Sequence, residues 1–245
     1  MRLNRIFCTG PLSLGAAVPL PAAAANHVAR VLRLREGAPL IVFDGSGNDY
    51  QAEIVGTGKG GEVTVRVHAQ APGSAESPLR ITLVQGISRG ERMDWTLQKA
   101  TELGVDTIAP VLTARSVVRL DDKQADKKQA HWHGIVIGAC EQSGRSRIPT
   151  VNTPSSLRDY LSTARQDRMR LVLSPTAPTS LPTLASLPAE VELLIGPEGG
   201  LDDAEIASAQ RSGFTPVRLG PRILRTETAA VVALSVLQAL WGDLR

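Results

Sequence analysis

An α/β protein with a mostly parallel sheet, preceded by a small β-rich unit, is the architecture this sequence predicts. Three observations carry that expectation. Strand-like apolar runs alternate with helical stretches from Arg80 to Leu244, the order of an open parallel sheet. Short strand patterns with no helix between them fill Pro39 to Val67. Between the two lies Ala71-Pro72-Gly73-Ser74-Ala75-Glu76-Ser77-Pro78, rich in turn formers and readable as a connection. The expected boundaries are a first domain over 1–72, a linker over 73–78 and a second domain over 79–245.

In the first unit, Leu3 to Cys8 reads as a strand and Ala22 to Leu32 as a helix. Pro39 to Phe43 follows, then the turn Asp44-Gly45-Ser46-Gly47, then strands at Tyr50 to Val55 and Glu62 to Val67. Val63, Val65 and Val67 alternate with Thr64 and Arg66, the period of a half-buried strand. Arg2, Arg5, Arg30, Arg33 and Arg35 precede any acidic residue. On a helix Arg30 and Arg33 share a face. Such a face suits phosphate contacts, and an ordinary solvated helix would show the same pattern.

The second unit opens with the alternating strand Arg80 to Gln85, then a helix from Arg92 to Leu103 ended by Gly104. Lys99 and Glu102 on it are i, i+3 neighbours. Ile108 to Leu112 is the next strand, followed by Thr113-Ala114-Arg115-Ser116. The charged run Asp121 to Lys128 leads into a helix through Cys140. His131 and His133 sit two apart, so a helix points them to opposite sides and they cannot share a metal. Glu141-Gln142-Ser143-Gly144-Arg145 ends that helix with polar groups that suit either a cap or a ligand. Leu157 to Thr163 reads as a short helix and Arg170 to Leu173 as a strand, with a Pro/Thr/Ser-rich connection to Pro188.

Two strand-to-helix turns complete the chain. Val191 to Ile195 breaks at Gly196-Pro197-Glu198-Gly199-Gly200-Leu201, and Asp202 or Asp203 caps the next helix. Pro216 to Leu219 breaks at Gly220-Pro221, and Thr226 or Thr228 opens an apolar helix to Leu240. Two such turns form a crevice at the carboxyl ends of a parallel sheet. Arg222, Arg225 and Glu227 crowd the second turn, and charges at the mouth of an apolar crevice point to a ligand.

Composition bounds the rest. A chain of 245 residues fits one large or two small domains, and a net charge of +3 permits a nucleic-acid partner. Cys8 and Cys140 lie far apart without metal-type spacing, as in a reducing cytosol. No apolar run is long enough to span a membrane. The N-terminus resembles a signal peptide, but Gly10, Pro11, Gly15, Pro19 and Pro21 interrupt it, so a cytoplasmic location is expected. No Gly-x-Gly-x-x-Gly leads from a strand into a helix, no P-loop is present, and no Cys/His cluster suggests a metal.

Ile195-Gly196-Pro197-Glu198-Gly199-Gly200, with Leu219-Gly220 and Ile223-Leu224-Arg225-Thr226-Glu227-Thr228-Ala229 downstream, resembles the signature of the SPOUT methyltransferases. The similarity is closest to the ribosomal RNA small subunit methyltransferase E family, which methylates N3 of a uridine. It implies a trefoil-knotted second domain behind a PUA-like RNA-binding barrel. Arg5, Phe7, His27, Val31, Leu32, Arg33 and Gly37 fit the barrel pattern, while Asn26 stands where many members have a second histidine.

The implied cofactor is S-adenosylmethionine. The matching positions are Leu173, Ile195, Gly196, Pro197, Gly199, Gly200, Leu219, Gly220, Leu224, Thr228 and Ala229. RNA contacts are expected from Arg5, Arg30, Arg33, Arg115, Gln142, Arg145 and Arg222. A uridine N3 carries a proton and is a poor nucleophile until it leaves. Glu198 and Glu227 are therefore the possible bases, unranked, and Arg225 the expected stabiliser of the uridine anion. The implied partners are 16S rRNA of the small ribosomal subunit and a second copy of the chain, since the helix Ala229 to Leu240 is more apolar than one sheet face requires. A ribose 2′-O-methyltransferase and a non-catalytic RNA-binding protein on the same scaffold are the alternatives.

Overall fold

A computed structural model describes residues 3–58, 61–73, 75–163, 167–185 and 188–244. Arg2 of the arginine group, Ser74 of the expected linker, and Ser186 and Leu187 of the proline-rich connection lie outside the described residues. The chain forms two compact units, Met1–Glu76 with Ile137–Ile148, and Ser77–Val136 with Pro149–Arg245. Residues 137–148, expected in the second domain, thus group with the first.

The first unit contains β1 (Arg5–Phe7), β2 (Ala17–Pro19), α1 (Ala22–Asn26), β3 (Pro39–Phe43), β4 (Asn48–Thr57) and β5 (Val63–Pro72). These strands form one sheet in the order β1-β3-β4-β5-β2. β1 and β3 are parallel and the other pairs antiparallel. Inward side chains such as Ile6, Leu40, Val42, Ile54, Val63 and Val65 make its core. Three expectations are corrected here. The stretch between the strand at Leu3 to Cys8 and the helix at Ala22, which reads as a Gly/Pro-rich loop, contains β2, whose short pairing with β5 leaves no periodic signal. β5 runs through Pro72 and pairs with Asn48 and Asp49, so Ala71 and Pro72 of the turn-rich stretch belong to a strand, and the expected linker over 73–78 starts where that strand ends. The helix at Ala22 gives way to a π-helical turn, His27–Val31, and Arg33 follows with φ 52°. Arg30 and Arg33 therefore do not share a regular helical face.

Arg5 and Arg145 are also corrected as RNA contacts. Arg5 is 8% exposed and gives both terminal nitrogens to Asp49, at 2.6 and 2.8 Å, and one of them also to Ser146 Oγ. Arg145 is 2% exposed and donates to Glu76 at 2.9 Å. Glu76 also accepts from the backbone N–H groups of Ser146 and Arg147, at 3.0 and 2.9 Å. Taking two guanidiniums out of water requires such partners, so both hold 137–148 to the sheet rather than face RNA.

The second unit contains β6 (Arg80–Gly86), α2 (Glu91–Glu102), β7 (Thr107–Leu112), α3 (Asp122–Ser143, whose last residues group with the first unit), β8 (Thr150–Val151), β9 (Ser155–Ser156), α4 (Leu157–Ser162), β10 (Met169–Leu173), β11 (Glu190–Ile195), α5 (Asp203–Arg211), β12 (Thr215–Val217) and α6 (Thr226–Trp241). Among the described residues its strands are all parallel, ordered β12-β10-β11-β6-β7-β8, with β9 beside β7. Covered on both faces, β6 and β11 read as nearly continuous buried runs. α6 turns Ala230, Ala233, Leu234, Leu237 and Trp241 inward, at helical spacing. β12 ends at Val217, two residues short of the expected Leu219, which frees Leu219-Gly220 for the loop beyond.

Candidate active site

A cavity of about 480 Å³ opens where β10, β11 and β12 end, lined by their last residues Leu173, Ile195 and Val217. That is where an open parallel sheet binds ligands. One wall is the glycine turn after β11. Gly200 closes it with an N–H bond of 2.9 Å to the Pro197 carbonyl. A Cβ on Gly196 would lie 2.8 Å from the Gly200 carbonyl carbon, so only glycine lets the turn fold back this tightly. Gly200 itself has φ 70°, and a Cβ there meets nothing within 4 Å, which leaves its backbone open to a ligand.

The other wall is the loop from Leu219 to Arg225 and the first turn of α6. Arg225 is the N-cap residue and Thr226 the first helical one. Thr226 Oγ1 donates to the Gly196 carbonyl at 2.7 Å and accepts from Gln85 Nε2 at 3.0 Å. The two turns are thereby bonded to each other beneath the cavity.

Charges fix the rim. Glu198 accepts the Arg89 N–H at 2.9 Å and Arg92 Nη1 at 3.1 Å. Burial pushes its carboxyl upward, but those donors outweigh it and hold it below the ordinary carboxylate range. Arg115 Nη1 donates to the Gly199 carbonyl at 3.0 Å. Asp202, not Asp203, caps α5 in a reciprocal box with Glu205. Glu205 uses its second oxygen to accept the Ala114 N–H at 2.7 Å. Glu227 differs from Glu198: its Oε2 is buried without a hydrogen-bond partner, and it pairs with neither Arg222 nor Arg225.

The cavity gathers most of the expected residues. Leu173, Ile195, Gly196, Pro197, Gly199 and Gly200 line it, as do Leu219, Gly220, Leu224 and Ala229. Thr228 does not; it is exposed on the outer side of the first turn. Arg225, Glu198 and Glu227 all line it, and so do Arg115 and Arg222. Arg30, Arg33 and Gln142 belong to the first unit, where they are exposed. Sequence reasoning missed Arg92, Ser174, Pro175 and Ile223 on the lining and Gln85 beneath it. Ser174-Pro175 carried a usable signal, since it follows β10 as Gly196-Pro197 follows β11. Among the described residues no group of His, Cys, Asp or Glu is arranged to hold a metal ion.

Comparison with known proteins agrees with this geometry. An RNA methyltransferase domain family matches residues 75–238, and an RNA methyltransferase PUA domain family matches 20–67. The ribosomal RNA small subunit methyltransferase E of Bacillus subtilis is 35% identical, over 89% of this chain and 90% of its own. That of Buchnera aphidicola from Schizaphis graminum is 33% identical over 99% and 98%. Among solved structures, a methyltransferase E from Neisseria gonorrhoeae bound to S-adenosyl methionine superposes with a TM-score of 0.92, 38% identity and full coverage of both chains. A Legionella pneumophila putative methyltransferase in complex with SAM gives 0.95 and 42%, again over both whole chains. With its cavity, its parallel sheet and its PUA-type first unit, this chain belongs to the ribosomal RNA small subunit methyltransferase E family.

Proposed function

We propose that this protein transfers a methyl group from S-adenosylmethionine to N3 of a uridine in 16S rRNA of the small ribosomal subunit. The observation that carries this reading is the start of α6, where Arg225 and Glu227 line the same cavity as the open glycine turn. The donor set fits S-adenosylmethionine: Leu173, Ile195, Leu219 and Leu224 offer apolar faces for a purine, and the backbone at Gly200 and Gly220, with no neighbour where a side chain would stand, leaves room for its polar edge. Bound there, the sulfonium supplies an electrophilic methyl.

The residues of the chain then have separable tasks. Arg225 is exposed and has no ion-pair partner among the described residues, so its guanidinium is available to a uridine carbonyl that gains charge as N3 loses its proton. Glu227 has a buried carboxylate oxygen without a protein donor, the vacant acceptor a departing proton requires. Glu198, already occupied by Arg89 and Arg92, holds the rim. Exposed Arg30 and Arg33 in the first unit, with Arg115 and Arg222 at the cavity, supply phosphate contacts.

Three finer points belong to the same proposal. β11 lies between β10 and β6, and a Cβ on Gly86 would lie 2.4 Å from Pro197 N, close packing of two strand ends that is compatible with the trefoil knot of the family. Ile223, 84% exposed at the cavity mouth, suits a homodimer contact, and light scattering reporting a monomer would overturn that part. Work on ribosomal RNA sets the protein in the cytoplasm, and no described helix is long and apolar enough to cross a membrane.

The deciding measurement is mass spectrometry of nucleosides from 16S rRNA or small subunits lacking the modification, incubated with protein and S-adenosylmethionine. N3-methyluridine is the expected product. A 2′-O-methylated nucleoside, or RNA binding with no methylation, overturns the proposal.

A further inference from the structure

At the base of the cavity a hydrogen-bonded group ties its two walls together. Gln85 is wholly buried at the end of β6, beside Ile195 in the sheet register. Its Nε2 faces three acceptors: the Gly86 carbonyl at 3.1 Å, the Gly196 carbonyl at 3.5 Å and Thr226 Oγ1 at 3.0 Å. Two of the three are carbonyl oxygens, which fixes which way round the amide sits. Its own Oε1 is left buried without a partner. An unmatched buried acceptor is costly, and a leucine or methionine after the buried Leu83 and Val84 would avoid it. Thr226, 7% exposed, completes the group by donating to Gly196 at 2.7 Å.

The placement is specific. Gly196 begins the turn that lines the cavity from β11, and Thr226 sits between Arg225 and Glu227 at the start of α6. We infer that Gln85 and Thr226 are positioning residues: they lock the first turn of α6 onto the Gly196 carbonyl, which sets Arg225 and Glu227 in register with whatever the glycine turn holds. Neither side chain handles the methyl group or the proton. Their effect passes through the backbone of α6, which a single hydroxyl fastens to the opposite turn. Misplacing a reacting group by about 1 Å costs roughly 10²-fold in rate. The inference rests on the methyl-transfer reading above.

Steady-state methylation of 16S rRNA, with calorimetric titration of S-adenosylmethionine, tests it on the full chain. Wild-type turnover is measured first, and its absence defeats the functional proposal rather than this one. Thr226→Val is expected to lower kcat by roughly 10²-fold while donor affinity stays within about threefold. Gln85→Met, which keeps the bulk and removes the donor, is expected to lower kcat by about tenfold. Thr226→Ser, which keeps the hydroxyl, is expected to restore kcat to within about threefold of wild type. Should Thr226→Val fail to fold, Gln85→Met against Thr226→Ser gives the same contrast. The inference is overturned if either folded variant keeps wild-type kcat, if donor affinity falls while kcat at saturation does not, or if Thr226→Ser is as slow as Thr226→Val.

Discussion

Two arginines of the first unit and two of the second have opposite fates. In the first, Arg5 and Arg145 are almost wholly buried, and each guanidinium meets a carboxylate and more. In the second, Arg222 and Arg225 stand exposed at a cavity with no carboxylate partner among the described residues. All four were expected to touch substrate. Charge in a sequence thus says that a guanidinium needs a partner; only the fold says whether the chain has supplied one. Where it has, the residue stabilises the fold. Where it has not, as at Arg222 and Arg225, the guanidinium is left open to the ligand proposed for the cavity.

That contrast is open to test, most severely at Glu76. It holds Arg145 and two backbone N–H groups at once. Glu76→Ala should destabilise the protein by about 3–5 kcal/mol, read by chemical denaturation, because breaking a buried pair leaves charge and donors behind. Arg225→Ala should do the reverse: no measurable change in denaturation midpoint, and a loss of about 10²- to 10³-fold in single-turnover methylation. A stable protein from the first change, or wild-type rate from the second, would erase the distinction.

The glutamates at the cavity sharpen it further. Glu227→Gln should slow methylation by about 10²-fold or more and recover as pH rises, since solvent then removes the uridine N3 proton unaided. Glu198→Gln should show no such recovery, and should cost only what an exposed ion pair does, about 0.2–1 kcal/mol. Matching pH–rate profiles for the two would show that the structural difference between them has no chemical meaning.

Smaller effects follow acid titration of the first unit. Burial raises the Asp49 carboxyl, but hydrogen bonds from Arg5 and Ser146 and the charge of Arg5 more than reverse this, so its folded pKa lies below the unfolded one. Its stabilisation is present above the unfolded carboxylate pKa and is lost as pH falls through the folded value. Glu141 has the opposite sign. Burial raises it, more than the Phe7 N–H and the nearby His27 and Arg5 lower it. Its burden on stability is therefore present at neutral pH and is relieved as pH falls through the raised value. Glu141→Gln, which keeps an acceptor for Phe7 N–H, should leave the protein no less stable at neutral pH and flatten its response to mild acid, by thermal denaturation at a series of pH values.

How much of this was readable in the sequence follows the same division. The parallel sheet and the cavity wall were legible because their signals are local: apolar runs ending at Gly196 and Gly220, and Arg225 and Glu227 beside Thr226. What escaped depends on contacts far along the chain. The grouping of 137–148 with the first unit rests on Glu76 and Asp49, some 70 and 97 residues from Ser146. Gln85 looked like one polar residue ending a strand, and its partner Thr226 is 141 residues away. The π-helical turn at His27 is hidden for a different reason: its alanine-rich approach is good helix sequence, and nothing local marks where the winding changes.

Cys8 and Cys140 are buried in the first unit, one just beyond β1 and the other in the segment from α3, and burial pushes both thiols up to about 12. Neither offers a thiolate to an alkylating reagent in the native protein at neutral pH. The rate at which each is labelled is therefore a clock for local opening. Equal rates at the two sulfurs would mean that the strand and the segment part from the sheet in a single event, and unequal rates would name the one that leaves first.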